Sequence, residues 1–577
     1  MGEFFELREI EDSTKVLPLD EALRQAIRPG MKLHVTTGND PNAALRELIR
    51  QYWEKKPDFT LISSGVTTPY LISLVCSGLV KKVITTNCSY TYPTPRPIPL
   101  LQQAQRRGLL EIESWSLYSL EQRLMAGALG LGFMPTRSIR STSLAEENAH
   151  SFKLISDPFE ENAKVGVVRA LEPDVSLVHG CAADRYGNTI LAPPYFTSIW
   201  GPRASRNGVI VTVEKLVPEE FIRRHSALVK IPGYLVRSVS VVPLGSHPQA
   251  LAGEVISLAE GYGEDYDFLQ EFQKVSQEQS RLNAWLEEWV IGCPTQEDYL
   301  RKLGEERIRQ LRRKSGAGVG ELAAAPAGGE PRPAEFMVVA AAREVKAKVM
   351  QEGYRTVLAG IGLSGLAAWL AYYLLRRQGR EVDLLTGTGL VGYAPRPGDP
   401  FLMTPSNLLT CKMLTDTVEV YGTFVGGAQS QCLSVLGTAQ IDKYGNLNTL
   451  KMGGLYFIGP GGAGDAVNAR ETLVVARQSR ERLVEAVPFV SCPGDRINML
   501  VTDRGIFAKV GGEQTFTLTK YFAGSGFFSR EACLREIEEN CGWELKVAED
   551  LEEVAPPSAE ELAILRSLDP QGVFIGK

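Results

Sequence analysis

The apolar positions of this chain change their period repeatedly. Runs such as VSLVHG (175–180), VIVTVEKL (209–216) and NMLVTDRGIF (498–507) are short and largely apolar, the pattern of strands covered on both faces. Between such runs lie stretches with apolar residues at helical spacing, such as NAALRELIRQYWEK (42–55) and SLEQRLMAGALG (119–130). Strands alternating with helices predict α/β domains built on largely parallel sheets. Ligands on such sheets sit beyond the carboxyl ends of the strands.

One stretch, TVLAGIGLSGLAAWLAYYLLRR (356–377), approaches the length of a membrane span and ends in two arginines. It divides better into a strand (TVLAGIG), a turn (LSG) and a helix (LAAWLAYYLLRRQG) stopped by Gly379. No other segment reads as membrane-spanning, so no membrane partner is expected. The 577 residues call for more than one core. SGAGVGELAAAPAGGEPRPAE (315–335) is rich in Gly, Ala and Pro and reads as a flexible linker. The expected division is a first domain over 1–312, a linker over 313–335 and a second domain over 336–577.

The two parts share a string. AADRYGNT (182–189) and AQIDKYGNLNT (439–449) each place Asp-basic-Tyr-Gly-Asn after an apolar run. Either copy alone is ordinary turn chemistry, because Gly and Asn tolerate positive φ. The shared string points to duplication of a related fold.

Composition narrows the function. At 44% hydrophobic and 23% charged, the chain is ordinary for a soluble globular protein. A net charge of -6 leaves no global basic surface for gripping phosphate backbones, so no nucleic-acid partner is expected. The basic run RKLGEERIRQLRRK (301–314) reads as a solvated helix face beside the linker. Nine scattered cysteines without a CxxC read as reduced thiols in the cytoplasm. Five histidines without paired ligand spacing point to no metal site. The start, MGEFFELREIED, lacks the apolar core of a signal peptide, and Glu6 breaks a myristoylation pattern.

Three GxGxxG strings carry the candidate chemistry: GIGLSG (360–365), GTGLVG (387–392) and GPGGAG (459–464). The first follows a strand and opens a helix, with Glu381 and Asp383 about 20 residues on, as in a dinucleotide fingerprint. Three such strings in one domain cannot all be a pyrophosphate turn, and Pro395 and Pro397 block a helix after the second. Their common feature is backbone exposed at strand ends, suited to an oxyanion or a phosphate. Gly360, Gly362, Gly389, Gly461 and Gly462 are therefore the candidate backbone positions. Arg137 in MPTRS and Arg140 in SIRS are candidates to pair with a carboxylate or phosphate. Asn468 and Asn448 are candidate amide donors, with a turn role equally open. Ser364 stands in GLSG rather than GxSxG, and Cys88 has nothing nearby to activate it.

These strings resemble CoA-transferase family I, in particular the glutaconate CoA-transferase branch. In the first half the resemblance rests on LMAGALGLGFMPTRS (124–138), EPDVSLVHGCAADRYGNT (172–189) and VIVTVEKLVPEEFIRRH (209–225). In the second it rests on VLAGIGLSGLAAWLA, LGTAQIDKYGNLNT, GPGGAGDAVNA and VTDRGIF. It implies two α/β subunits of related fold, here fused, with acyl-CoA bound between them. It also implies coenzyme A as a (co)substrate, no tightly bound cofactor, a small carboxylic acid or water as second reactant, and a homodimer of the fused chain.

Transferases of the family attack the thioester with a glutamate at a strand end of the second half. Placed on that motif, this chain has Gly387, and no Asp or Glu lies between Asp383 and Asp399. Asp383, in the strand four residues upstream, is not expected to reach the same point. Three explanations stand: transfer with a substitute carboxylate, different acyl-CoA chemistry, or CoA-ligand binding alone. Some relatives without this glutamate act as hydrolases that open a ring C–C bond of cyclic keto acyl-CoA compounds. They use a first-half glutamate in a Glu-x-Trp-Ser setting, matched here by Glu113 in IESWS. The resemblance then implies Glu113 as a general base at a strand end facing the second half; the alternative is an exposed strand-end acid.

Overall fold

The computed structural model describes residues 14–253, 260–315, 330–402, 404–523 and 529–576. Most of the expected linker, 316–329, and the acidic start, 1–13, lie outside the described residues.

The first half is built on seven parallel strands: β1 (Lys32–Val35), β2 (Phe59–Ser63), β3 (Val80–Thr85), β4 (Glu111–Ser114), β5 (Val175–Ala183), β6 (Val209–Leu216) and β7 (Val236–Val241). Their order is β4-β3-β2-β1-β5-β6-β7. Every residue of β5 is buried, which is why VSLVHG shows no alternation. Helices α1 (Asn42–Tyr52) and α2 (Leu117–Ala128) stand close to the helical stretches expected at 42–55 and 119–130.

The second half has a parallel core of β8 (Thr356–Ala359), β9 (Asp383–Leu385), β11 (Cys432–Gly437), β12 (Glu471–Val475) and β13 (Ile497–Val501), in the order β9-β8-β11-β12-β13. Strand β10 (Leu390–Tyr393) runs antiparallel to β9, so GTGLVG lies at a hairpin turn and opens no helix. Both sheets are therefore α/β and largely parallel, and in each the strand order reverses direction, at β1/β5 and at β8/β11.

Two local expectations change. NMLVTDRGIF is not one strand but a hairpin of Ile497–Val501 and Gly505–Ala508, because Asp-Arg-Gly supplies the turn and Thr502 Oγ1 caps it by accepting from Gly505 N at 2.9 Å. The long apolar run does split, but its helix α3 (Leu363–Arg377) begins at Leu363, so Ser364 and Gly365 are helical rather than a turn. Gly362, at φ 81°, makes the entry, and Gly379, at φ 68°, follows the exit. Among the described residues no helix is long and apolar enough to cross a membrane.

The repeated string folds alike in both halves. Asp184 Oδ1 accepts from the backbone of Tyr186 and Asn188, and Asp442 Oδ1 accepts from Tyr444 and Asn446. Gly187 and Gly445 take φ of 92° and 85°. Each string turns between antiparallel strands, so the turn and the duplication are the same observation at two scales.

Candidate active site at the seam between the halves

The carboxyl ends of the two sheets' strands meet. The GPGGAG loop is stitched to the first half: Gly461 N donates to Thr86 O (3.0 Å), past β3, and Leu117 N at the start of α2 donates to Gly461 O (2.9 Å). Gly459, at φ 133°, packs so closely that a Cβ there would stand 2.8 Å from Asn87 Cα. The β9–β10 turn is held by Thr415, whose N donates to Gly389 O (2.9 Å) and whose O accepts from Tyr195 N (2.9 Å).

Asp465 locks this seam. It is 1% exposed, in the short helix Ala463–Ala466, and reaches across to the first half. Its Oδ1 accepts from Ser116 Oγ (2.7 Å) and Ser138 Oγ (2.6 Å), and its Oδ2 from Tyr118 N (2.9 Å). Burial pushes its carboxyl up to about 6, against the pull of those donors.

Gly387 lies in the β9–β10 turn, and Thr417 Oγ1 donates to its carbonyl at 2.9 Å. The space a side chain would need is taken. An ideal Cβ on Gly387 would overlap the hydroxyl of Tyr421 and stand 2.7 Å from Cζ and 3.0 Å from Cε2. A Cβ on Gly462 would overlap the same hydroxyl and stand 2.7 Å from the same Cζ. Tyr421, on the π-helical turn Val420–Val425, thus wedges its phenol between two glycine loops. Its ring is buried, and burial followed by the nearby Asp465 carboxylate pushes the phenol well above its usual range, so it stays a neutral donor. Among the described residues its hydroxyl and the N–H groups of Gly387, Thr388 and Gly462 make no hydrogen bond to protein.

Glu113 stands on β4 next to its carboxyl-end residue, Ser114, and is 8% exposed. Four groups converge on it. Oε1 accepts from Arg123 Nη1 and Trp115 Nε1, both at 2.8 Å, and Oε2 pairs with Lys82 Nζ (2.8 Å) and lies 3.4 Å from His150 Nε2. Burial would raise this carboxyl, but Arg123 and Lys82 outweigh it and hold it down at about 2. Arg123 also stacks 4.2 Å from the buried Trp115 ring. All four partners belong to the first half.

The remaining expected residues scatter in role. Gly360 N is spent on Val435 O (2.9 Å), Gly461 N on Thr86 O, and Gly362 caps α3. Gly389, at φ 113°, makes the turn. Arg137 is exposed and spans the seam, donating to Gly426 O at 2.9 Å. Asn468 Nδ2 donates to Asp465 O (3.2 Å), and Asn448 Nδ2 to Lys451 O (2.7 Å), so both amides serve local turns. Asp383 pairs with Lys412 (2.7 Å) on the strand side of the turn. Cys88 is buried, and burial pushes its thiol up.

Beside Gly387 lies a cavity of about 120 Å³ lined from both halves, including Thr37, Asp40, Pro194, Phe196, Glu264 and Thr388. Asp40 is 5% exposed; its Oδ2 accepts from Gly38 N at 3.1 Å, while its Oδ1 has no partner. Burial pushes Asp40 up to about 7 and Glu264 up to about 8. None of Asp40, Glu264, Tyr421 or Asp465 stands out in the sequence, although Asp465 directly follows GPGGAG and Asp40 follows the first strand.

Residues 16–241 match the Coenzyme A transferase family model. The one polypeptide is similar to both kinds of chain that two-chain relatives carry separately, and these likenesses support an enzyme of the CoA-transferase superfamily. It is 28% identical over 326 residues to one of the two chains of glutaconate CoA-transferase from Acidaminococcus fermentans, a match spanning 53% of this chain and 97% of the relative. It is 28% identical over 256 residues to the other kind of chain, from the 3-oxoadipate CoA-transferase of Pseudomonas knackmussii, spanning 41% of this chain and 92% of that one. The fold is also that of an acyl-CoA transferase from Escherichia coli O157:H7 solved as a thioester complex with CoA. That likeness has a TM-score of 0.64 at 15% identity and covers 94% of this chain and 95% of the other.

Proposed function

We propose that this chain binds an acyl-CoA thioester along the seam and moves CoA between carboxylic acids without a nucleophile at position 387. The halves 1–312 and 336–577 stand for the two chains of those relatives, and the fused chain works as a homodimer. The observation that carries the reading is the Tyr421 phenol, which fills the space a side chain at Gly387 would need. The N–H groups of Gly387, Thr388 and Gly462, in the two glycine loops beside Tyr421, make no hydrogen bond to protein among the described residues and are further candidate donors. An oxyanion formed at a thioester carbonyl needs such a set, and each preorganised donor is worth roughly 3–4 kcal/mol of barrier.

With no side chain to attack, the acceptor's own carboxylate adds to the thioester carbonyl. The C–S bond breaks, the CoA thiolate leaves, and a mixed anhydride forms. The thiolate then adds to the acceptor's acyl carbon and the first acid departs as its carboxylate. Water in the acceptor's place would give hydrolysis, the second reading, favoured by the missing nucleophile. The three donors on Glu113, from Trp115, Arg123 and Lys82, support an anchor rather than the base of that reaction.

Mass spectrometry of the CoA pool tests this, with purified enzyme, a panel of acyl-CoA esters and added acetate or dicarboxylates. A new acyl-CoA built from the acceptor, with no CoA adduct on the intact protein, is the expected outcome. Release of free CoA without acceptor would replace transfer by hydrolysis. A covalent CoA adduct would restore an enzyme nucleophile and overturn the mechanism.

A further inference from the structure

The cavity beside Gly387 lies where a ligand belongs in a doubly wound sheet. Asp40 follows β1, at the point where the strand order of the first sheet reverses. Thr388, the next residue after Gly387, also lines it, from the second half. A thioester carbonyl held by the Gly387 turn would extend its acyl chain into this space.

The lining is one-sided. Among the described residues it contains two acids, Asp40 and Glu264, and no Lys, Arg or His. Asp40 lines this space, is nearly fully buried, and its Oδ1 has no hydrogen-bond partner among the described residues. Glu264 is already tied through Oε2 to Ala250 N at 2.8 Å. Burial raises both carboxyls, and the neighbouring Asp40 adds to the rise at Glu264, so a protonated carboxyl in this wall can act as a donor. A terminal carboxylate on the acyl chain would be a third acid in the same space with no cation to balance it.

We propose that this cavity is the acyl pocket and that Asp40, with Glu264, selects acyl groups whose far end is an uncharged hydrogen-bonding group, a keto or hydroxyl oxygen, against those ending in a carboxylate. The inference rests on the acyl-CoA reading above. It separates this chain from the dicarboxylates that the names of its glutaconate and 3-oxoadipate relatives carry.

The test compares acetoacetyl-CoA, 3-hydroxybutyryl-CoA, butyryl-CoA and succinyl-CoA on the full chain, by binding and by turnover. The keto and hydroxy esters should be bound about 100-fold tighter than succinyl-CoA, in line with the cost of placing like charges together. Asp40→Asn keeps a donor and acceptor without the charge, so it should retain the keto ester while narrowing the gap to succinyl-CoA at least tenfold. Asp40→Ala should lose the preference for keto over butyryl. Equal binding of succinyl-CoA, or an unchanged ratio in both variants, would overturn the inference while leaving acyl-CoA binding intact. Failure of free coenzyme A and all four esters to bind would bring down the acyl-CoA reading and this one with it.

Discussion

Filling position 387 tests the wedge directly. Gly387 is not among the residues with positive φ, so a side chain there meets no backbone strain. What it meets is Tyr421: beyond the overlap with the hydroxyl, Cζ at 2.7 Å and Cε2 at 3.0 Å lie well inside normal carbon contact. The ring is buried and Gly462 also packs against the same Cζ, which limits how far it can move. Gly387→Ala should therefore destabilise by about 1–3 kcal/mol, the cost of overpacking a rigid site. Tyr421→Ala alone should cost about 3–5 kcal/mol through the cavity it leaves. In that background Gly387→Ala has room, and the loss of glycine's unfolded-state freedom makes it neutral or stabilising by about 0.5 kcal/mol. The double-mutant cycle should then return a coupling of about 1–3 kcal/mol, read from urea unfolding midpoints of the four proteins. The same logic applies to a carboxylate. Gly387→Glu alone should gain no covalent CoA adduct, whereas Gly387→Glu with Tyr421→Ala has the space for one. If Gly387→Ala costs the same in both backgrounds, or nothing in the native one, the phenol does not hold this place.

Two further outcomes follow from the buried acids. Glu113→Gln leaves Arg123, whose side chain is 5% exposed, without its carboxylate, so about 3–5 kcal/mol of stability should be lost. Because its folded value is held at about 2, that stability is present above the usual glutamate range and is lost as pH falls from about 4.5 through about 2. Unchanged unfolding midpoints together with abolished turnover would instead make Glu113 a base. Asp40 has the opposite sign: its carboxyl is raised to about 7, so its contribution is full below the ordinary aspartate range and disappears as pH rises through about 7. Asp40→Asn should match the native protein at pH 4 and exceed it by about 1–3 kcal/mol at pH 8.5 in denaturant titrations; a variant that loses ground at high pH would contradict this.

What the sequence made legible was local or periodic. β6 occupies the 209–216 run residue for residue, and the two Asp-x-Tyr-Gly-Asn turns hold the same hydrogen bonds in both halves. Such features depend on neighbours a few residues apart, and propensity and turn chemistry report them. The site depends on partners far apart in the chain. Asp465 is defined by Ser116, Tyr118 and Ser138, and Asp40 matters because the fold sets it in one cavity with Thr388. No spacing rule connects those positions. The direction in which Glu113 points is hidden for the same reason: a strand-end acid is free to face the seam, and Lys82 and Arg123 turn this one into its own half.

The glycines make the point most sharply, because one pattern hides two physical causes. Gly389 and Gly459 hold φ of 113° and 133°, conformations that side chains avoid, so their own backbone already requires glycine, and close packing on Thr415 and Thr86 adds to the requirement. Gly387 has no positive φ, and Gly462 sits at φ -91°, ordinary for any residue. They are glycine for the sake of Tyr421, which needs both Cβ positions empty to set its hydroxyl between the loops. A GxGxxG string cannot distinguish these cases. The first kind is already required by the loop's own backbone. The second is satisfied only by a ring delivered from a separate turn. That is why the glycine at position 387 could be read in the sequence, while the ring that takes the space of its side chain emerged only from the fold.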